Sequence, residues 1–411
     1  MFDPTIHART IARHFQSRDF ADNPTLFNPV ALQNVIEQAV SLGANGLAPV
    51  TLNRSKLRGK DVFQVDGLSH NLVLRHVTNN IRRVTGVKQD DRQFIINCIA
   101  SLVSEGTAFR VYKYDVKSFY ESVKAQNILL ALSHDLAFSG QSVRALGSLF
   151  AELEAQGVSG LPRGLAISAT LAEYLLRPFD AAMSNNLGVW YYSRFVDDIL
   201  IITDGSEDAK EFTALASDLL PSGLQFNAKS KDFAFAPYKK GNTKVIEGSF
   251  NFLGYSFSVT KAYRDTSDSK IKRGVILDIA PSKVKKIKTR MAKALITYRG
   301  DANFIDLRDR FRVLTSNFNF VDKNSGAIRS SGIYFNYSLI SSGSHALLAL
   351  DKFARAAILA PAPKNKLYPV VSSAQRLELL RLSFKGGHGD RRFFSFKSAR
   401  LAKLTACWHY V

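Results

Sequence analysis

The chain has 411 residues, 46% hydrophobic and 22% charged, with 55 Lys and Arg against 35 Asp and Glu for a net charge of +20. That length allows two or three subdomains with a sizeable core, and the cation surplus points to a polyanionic partner, though a membrane surface or a ribosome would also satisfy it. Two cysteines, Cys98 and Cys407, exclude a disulfide framework or cysteine metal cluster; no stretch is apolar enough to span a bilayer and no signal peptide is expected from MFDPTIHARTIARHF, so the expected setting is reducing and cytoplasmic.

Residues 1–50 mix short amphipathic segments with polar turns, and 31–42 has the apolar spacing of a helix. A basic segment follows, with Arg54, Lys56, Arg58 and Lys60 around Gly59. It reads as a solvated loop or as a loop that meets a template or a triphosphate. Residues 68–105 read as helical: Leu72, His76, Ile81 and Val84 recur at helical spacing, as do Phe94, Ile95, Ile99 and Leu102. Arg75, Arg82, Arg83 and Arg92 decorate them, and in KQDDRQF an i,i+4 surface pair accounts for Arg92 as well as a ligand does.

Residues 109–114 alternate as a strand does and lead to Asp115, with helix-compatible residues behind it. A helical stretch is expected over 125–156, with Leu130, Leu132, Leu136, Val143, Leu146, Leu149 and Leu153 as its apolar face. The loop GVSGLPRG, 157–164, enters a helix at 165–176 whose apolar face is Ile167, Leu171 and Leu175. Glycines before a helix N-terminus let backbone N–H groups approach a phosphate or sugar, although an ordinary turn has the same composition.

Then comes YYSRFVDDILIIT, 191–203. A β-favouring run, 190–196, meets two adjacent aspartates, and a second run, 199–203, follows at once. This is the pattern of a hairpin with Asp197 and Asp198 at or beside its turn. Taken alone, a polar turn explains it. Two carboxylates among Phe, Val, Ile and Leu are nonetheless costly to desolvate without positive charge, and hard divalent cations take carboxylate oxygens. With Asp115 leaving a neighbouring strand, three carboxylates could converge on two metal ions about 4 Å apart, the arrangement for in-line phosphoryl transfer.

A helix over 207–220 leads to GLQFNAKSKDFAF, which carries Lys229. Residues 250–257, FNFLGYSF, alternate as one strand. From Lys261 the composition changes: Lys270, Lys272, Arg273, Lys283, Lys285, Lys286, Lys288, Arg290 and Lys293 crowd a region with few acids. Residues 282–298 have a helical pattern with Val284, Ile287, Met291 and Leu295 on one face and lysines on the others, a lopsided charge that suits a duplex backbone. Further helices are expected at 304–314 and 345–359, and PAPKNKLYP from Pro361 reads as a connector. In KGGHGDRRFFSFKSARLAK, from Lys385, the aromatics Phe393, Phe394 and Phe396 either stack on RNA or join the core.

Four of these stretches come in the order and with the gaps of a reverse transcriptase, over about residues 81–255. KYDVKSFY resembles motif A, GLPRGLAISATLAEYLL motif B, RFVDDILI motif C and FNFLGYSF the primer-grip motif E; GLQFNAKSKDFAF looks like motif D. The resemblance implies an α+β right-hand polymerase: fingers over 1–108, an antiparallel palm over 109–260 with fingers helices at 125–158, and a basic helical thumb and C-terminal region over 261–411. It implies catalytic Asp115, Asp197 and Asp198, which with Val116 would hold two Mg²⁺ ions, or Mn²⁺ in their place. Tyr120 matches the steric gate against a ribose 2′-OH. Arg163, Gly164, Arg92 and Lys229 fall beside the nucleotide, Lys229 as a proton donor to pyrophosphate. Leu253 and Gly254 fall under the primer end, and Lys283, Lys285, Lys286, Lys288, Arg290 and Lys293 on the nucleic-acid backbone.

Arg163 stands where many members of the family carry glutamine, and Ser168-Ala169 where they carry Ser-Pro. These departures, with KYDVKSFYESV and the SGIYFNY phrase around Tyr334, resemble bacterial abortive-infection and defence-associated reverse transcriptases, most of all the type 2 kind. Val259-Thr260 is followed by Lys261, unlike the Val-Thr-Gly element usual in retron enzymes, and no Cys- or His-rich nuclease is evident. The partners this implies are a structured noncoding RNA as template, dNTPs and a DNA product in a bacterial cytoplasm, with no membrane. Two other readings stay open. One is a template-independent or protein-primed polymerase of the abortive-infection type. The other is a non-catalytic RNA-binding protein with a retired palm, against which the retention of three aspartates and Lys229 speaks.

Overall fold

The computed structural model describes residues 3–409 except 58, 89, 136, 268, 323–325, 342 and 361–370; Arg58, Leu136 and the expected 361–369 connector lie outside the described residues. The protein is α+β with antiparallel sheets. It divides into two units, residues 1–91 with 108–234, and residues 92–107 with 235–411. No helix among the described residues is long and apolar enough to cross a membrane.

The first unit is built on a four-stranded sheet in the order Val189–Phe195, Asp198–Thr203, Phe109–Asp115, Lys231–Phe235. The strand Asp198–Thr203 is central, and Ile199, Leu200, Ile201 and Ile202 are all fully buried, which is why this run shows no alternation. Helix Ala166–Ser184 packs on Val189–Phe195 and on helix Leu68–Thr85, which packs in turn on helix Pro29–Asn45. Its residues Ile167, Leu171 and Tyr174 are buried, at the spacing that keeps side chains on one helix face, while Leu176 is buried on the opposite side and Leu175, expected on the apolar face, is half-buried.

Several expectations are refined here. The basic segment is not an open loop but an antiparallel hairpin, Leu52–Leu57 with Lys60–Val65, in which Arg54 pairs with Asp61 at 2.6 Å. The 125–156 stretch is two helices, Ala125–His134 and Gly140–Ala155, the second capped by Ser139, whose hydroxyl accepts from the Ser142 N–H. Leu130 is 59% exposed, because Ile128 and Leu132 define the buried face of its helix.

The second unit holds helix Arg92–Leu102, where Ile95, Ile96 and Ile99 turn inward and Phe94, expected inside, is exposed. Its main sheet is antiparallel, in the order Val275–Ile279, Tyr255–Thr260, Ile246–Phe252. Residues 250–257 are therefore not one strand. Phe252 pairs with Tyr255 across a two-residue turn in which Leu253 and Gly254 have φ of 44° and 84°, the backbone of a type I′ hairpin turn. Helices Pro281–Asp301, Phe304–Thr315 and His345–Leu359 follow, and the region also carries a hairpin, Asn317–Val321 with Ile328–Gly332, so it is not wholly helical.

Arg273, counted from sequence among the surface cations, is buried. It pairs with Glu247 and donates to the carbonyls of Thr260 and Glu105, with its guanidinium 5.6 Å from the centre of the Phe235 ring. A buried guanidinium is tolerated only with a carboxylate and further acceptors of this kind. Phe394 and Phe396 are half-buried, Phe394 under the guanidinium of Arg312 at 4.8 Å and Phe396 near Phe318, whereas Phe393 is exposed.

Candidate active site

The aspartates meet at the end of the central strand pair of the first unit. Asp115 lies directly opposite Asp198 in the antiparallel register, and Phe195 lies opposite Asp198 on the other side. Val196 and Asp197 thus form a two-residue turn. Directly opposed residues carry their side chains on the same face with Cβ atoms about 5 Å apart, so the register alone puts two carboxylates side by side with a third in the turn above them.

The turn is held against its own preference. Val196 has φ of 62°, a region a β-branched residue occupies only under constraint. Two hydrogen bonds supply that constraint: Arg194 Nη1 donates to the Val196 carbonyl at 3.1 Å, and the Val116 N–H donates to the Asp197 carbonyl at 3.2 Å. Arg194 is itself buried, with Nε and Nη2 on the Asp180 carboxylate at 2.8 and 2.7 Å and Nη2 also on Glu173 at 2.7 Å. On the other flank Asn227 donates from its main chain to the Asp115 carbonyl at 2.6 Å and from Nδ2 to the Asp115 carboxylate at 3.1 Å.

The electrostatics match the desolvation argument. Burial pushes the Asp197 carboxyl above the usual carboxylate range, and the charge of Asp115 adds to the rise, while Arg163 and Lys60 oppose it. A group raised in this way gains most from a nearby cation.

A second cluster adjoins the first. The loop at 157–164 docks on the segment after Asp115: the Leu161 N–H donates to the Tyr120 carbonyl at 2.8 Å, and the Arg163 carbonyl accepts from the Phe63 N–H of the basic hairpin at 2.7 Å. Gly160 and Gly164 make this approach possible. A Cβ on either would stand 2.4 Å from the Tyr120 carbonyl oxygen or 2.5 Å from that of Phe63, and their φ values of 76° and 100° suit glycine. Arg163 then lies over the Tyr120 ring at 4.8 Å and donates from Nε and Nη2 to the two carboxylate oxygens of Glu121 at 2.9 and 3.0 Å. Lys60 Nζ is 4.0 Å from the same carboxylate. Burial raises the Tyr120 hydroxyl above its ordinary value.

The structure thus gathers Asp115, Val116, Asp197, Asp198, Tyr120, Arg163 and Gly164 within the first unit. Lys229 is in the same unit, exposed, its N–H donating to Asn227 Oδ1 at 3.2 Å. Arg92, Leu253 and Gly254 belong to the second unit and meet there. Arg92 donates from Nε to the Leu253 carbonyl at 2.8 Å and from Nη1 to the Asn336 carbonyl at 3.1 Å, with the rings of Tyr255 and Tyr337 at 5.0 and 5.5 Å. That makes Arg92 a support of the 253–254 turn, a part the sequence did not suggest. On helix Pro281–Asp301, Lys283 and Lys285 are exposed, while Lys286, Lys288, Arg290 and Lys293 are half-buried; Lys288 lies over Phe353 at 5.5 Å and Arg290 over Trp408 at 5.8 Å. A cleft of about 750 Å³ in this unit is lined by Ser256, Ser258, Asp278, Lys285, Lys288 and His345 among others.

Sequence reasoning missed Arg194, Glu121 and Asn227. Arg194 had a signal: Glu173 and Asp180, seven apart on one helix, share a face that needs a cation. Glu121 and Asn227 lie within stretches singled out for other residues. Among the described residues, no group of three or more His, Cys, Asp or Glu side chains is placed so that it could hold a metal ion. No family model matches the chain, and no curated protein is similar enough to count as a relative.

Proposed function

We propose that the chain is a reverse transcriptase, a right-hand, metal-dependent polymerase that copies RNA into DNA. The observation that carries this reading is the pairing of Asp115 with Asp198 across antiparallel strands, with Asp197 in a constrained turn between the pair and the Tyr120–Arg163 cluster. The donor set fits Mg²⁺, which is characteristically held by one or two carboxylates and substrate phosphates and not by a full protein cage. Bound there, two such ions would activate a primer 3′-OH and neutralise charge on the triphosphate. Asp115, Asp197 and the Val116 main chain would hold them, with Asp198 completing the set. Asn227 fixes the Asp115 carboxylate, and Arg194 fixes the turn that presents Asp197. Tyr120 would face the sugar of the incoming nucleotide. In this reading the Leu253-Gly254 turn supports the primer, and helix Pro281–Asp301 is the thumb. The phrases KYDVKSFYESV and SGIYFNY support the bacterial defence-associated branch and a structured RNA partner.

The test is Mg²⁺-dependent incorporation of dNTPs by the purified protein on a primed RNA template, with sequencing of the nucleic acid that co-purifies. Incorporation that follows the template supports the reading; incorporation indifferent to template moves it to the untemplated class; none at all leaves an RNA-binding protein.

Two further results are expected. Tyr120→Ala should raise acceptance of ribonucleotides relative to deoxynucleotides by about tenfold or more, the scale on which a shaped apolar pocket discriminates, while Tyr120→Phe should keep the preference. An unchanged ratio in Tyr120→Ala would reduce the ring to packing. Replacing the exposed Lys283 and Lys285 by alanine should weaken duplex binding of any sequence alike, and lower the log–log salt slope by about one for each phosphate that is no longer neutralised. An unchanged slope would leave them a solvated face.

A further inference from the structure

Arg163 and Lys60 are the two cations whose charge opposes the rise of the Asp197 carboxyl, and both turn to one anion, Glu121. The contact is a parallel pair of N–H···O bonds from the guanidinium edge to both carboxylate oxygens, with the lysine ammonium at the edge of the same group. A guanidinium fork takes a phosphate in the same two-point geometry as a carboxylate. Nothing seals the carboxylate in place: the Glu121 side chain is 46% exposed, against 26% for Arg163. Arg163 is braced from behind, whereas Lys60, with 56% of its side chain exposed, is placed only by its hairpin. Arg163 rests on the Tyr120 ring, and its carbonyl is tied to Phe63 in the hairpin that carries Lys60. An exposed acid thus faces a braced guanidinium, so the Arg163 part of the site is already formed when Glu121 swings away.

We propose that Glu121 is a built-in competitor for polyphosphate. Its carboxylate occupies the Arg163–Lys60 slot until the phosphates of a nucleoside triphosphate displace it. This rests on the nucleotide-site reading above and adds to it a threshold, the cost of displacing Glu121, that every anion entering the slot must meet. A carboxylate bears one negative charge and a monophosphate about −1.5 to −2 near neutral pH, so a monophosphate meets that threshold by a small margin, whereas the larger charge of a triphosphate meets it easily. The displaced carboxylate swings into water, where its charge is well solvated.

Equilibrium binding of inorganic tripolyphosphate to the full-length protein tests this, with dNTP incorporation measured in parallel. Glu121→Gln keeps the shape and removes the charge. It should bind tripolyphosphate more tightly than the wild type by about three- to fivefold, the scale of one partly exposed ion pair, and orthophosphate by a similar factor, since a competitor that must leave first penalises every anion alike. Arg163→Gln in the same background should abolish the gain. A brace that merely positions Arg163 predicts the opposite sign, so equal or weaker binding in Glu121→Gln overturns the proposal. In the wild type, the Arg163 Nε–H resonance of isotope-labelled arginine should shift on adding tripolyphosphate, and a resonance that stays put overturns it without recourse to a variant. Incorporation separates the two claims. If the wild type polymerises and Glu121→Gln binds no tighter, only the competitor fails. If binding tightens and no protein incorporates nucleotide, the anion slot stands and the polymerase reading fails.

Discussion

On the proposed reading, replacing Asp197 and Asp198 together by asparagine is expected to lower DNA synthesis by more than about a thousandfold, because several kcal/mol of charge stabilisation would leave with the cations that the carboxylates would hold. The fold should survive. The Asp197 carboxyl is raised on folding, chiefly by burial and then by Asp115. A raised carboxyl favours the folded state while it is protonated and loses that contribution as pH climbs through the raised value. In neutral buffer it is therefore a burden on stability, and asparagine removes that burden. The melting temperature should stay level or rise slightly, and RNA binding should persist. Incorporation at the wild-type rate would dismiss the site; a fall of many degrees in melting temperature would make the aspartates structural.

The largest effect on stability is expected at Arg194. Arg194→Met should cost about 3–5 kcal/mol, the usual consequence of removing one partner from a buried ion network. The substitution strands the carboxylates of Asp180 and Glu173 and leaves the Val196 carbonyl without its donor. It also leaves Tyr192, whose hydroxyl donates to Asp180 at 2.5 Å, beside an uncompensated charge. Denaturant midpoints with an unchanged slope measure this cleanly. Arg194→Lys should recover only part of the loss, since an ammonium lacks the fork that reaches three acceptors at once. Neutralising the acids as well, in Arg194→Met/Glu173→Gln/Asp180→Asn, should restore most of it. A cost below about 1 kcal/mol for the single change would mean that water reaches the network and screens it as it does a surface pair.

How far these features were legible in the sequence depends on the range of the forces that create them. The aspartate hairpin was legible because its two strands, its turn and its carboxylates are neighbours in the chain, and two apolar runs around a polar pair have few other solutions. That Asp115 could converge with the aspartate pair was read from the strand patterns, but its opposition to Asp198 was not legible, as nothing local sets the register between strands so far apart. The Leu253-Gly254 turn was written in the sequence and misread. Phe250 and Phe252 occupy even positions and Tyr255 and Phe257 odd ones, and all four are buried. A single strand cannot change the parity of its buried face, so the switch itself marks a turn. Arg273 was illegible for the opposite reason. Its neighbours Lys270 and Lys272 are exposed or half-exposed, and its burial depends on Glu247 and on carbonyls far along the chain. Leu130 and Phe94 erred because an apolar residue on a helix is consistent with the core without being required there.

The interleaving of the two units has a consequence for how the chain is made. Helix Arg92–Leu102 is synthesised in the middle of the first unit, yet its partners belong to the second: Arg92 needs the carbonyls of Leu253 and Asn336, Glu105 offers its carbonyl to Arg273, and Gly106 lies so close to Ile271 that a Cβ there would clash. While the ribosome is still adding residues beyond 234, Ile95, Ile96 and Ile99, buried in the finished chain, belong to a unit that is not yet complete. The first unit can complete its sheet at once, whereas this helix must wait, tethered at both ends, for more than a hundred further residues to arrive. The incomplete unit gives a chaperone a reason to stay until the C-terminal half is finished. A cut between residues 234 and 235 would leave the second unit incomplete, with its residues 92–107 stranded on the piece that holds the whole of the first unit.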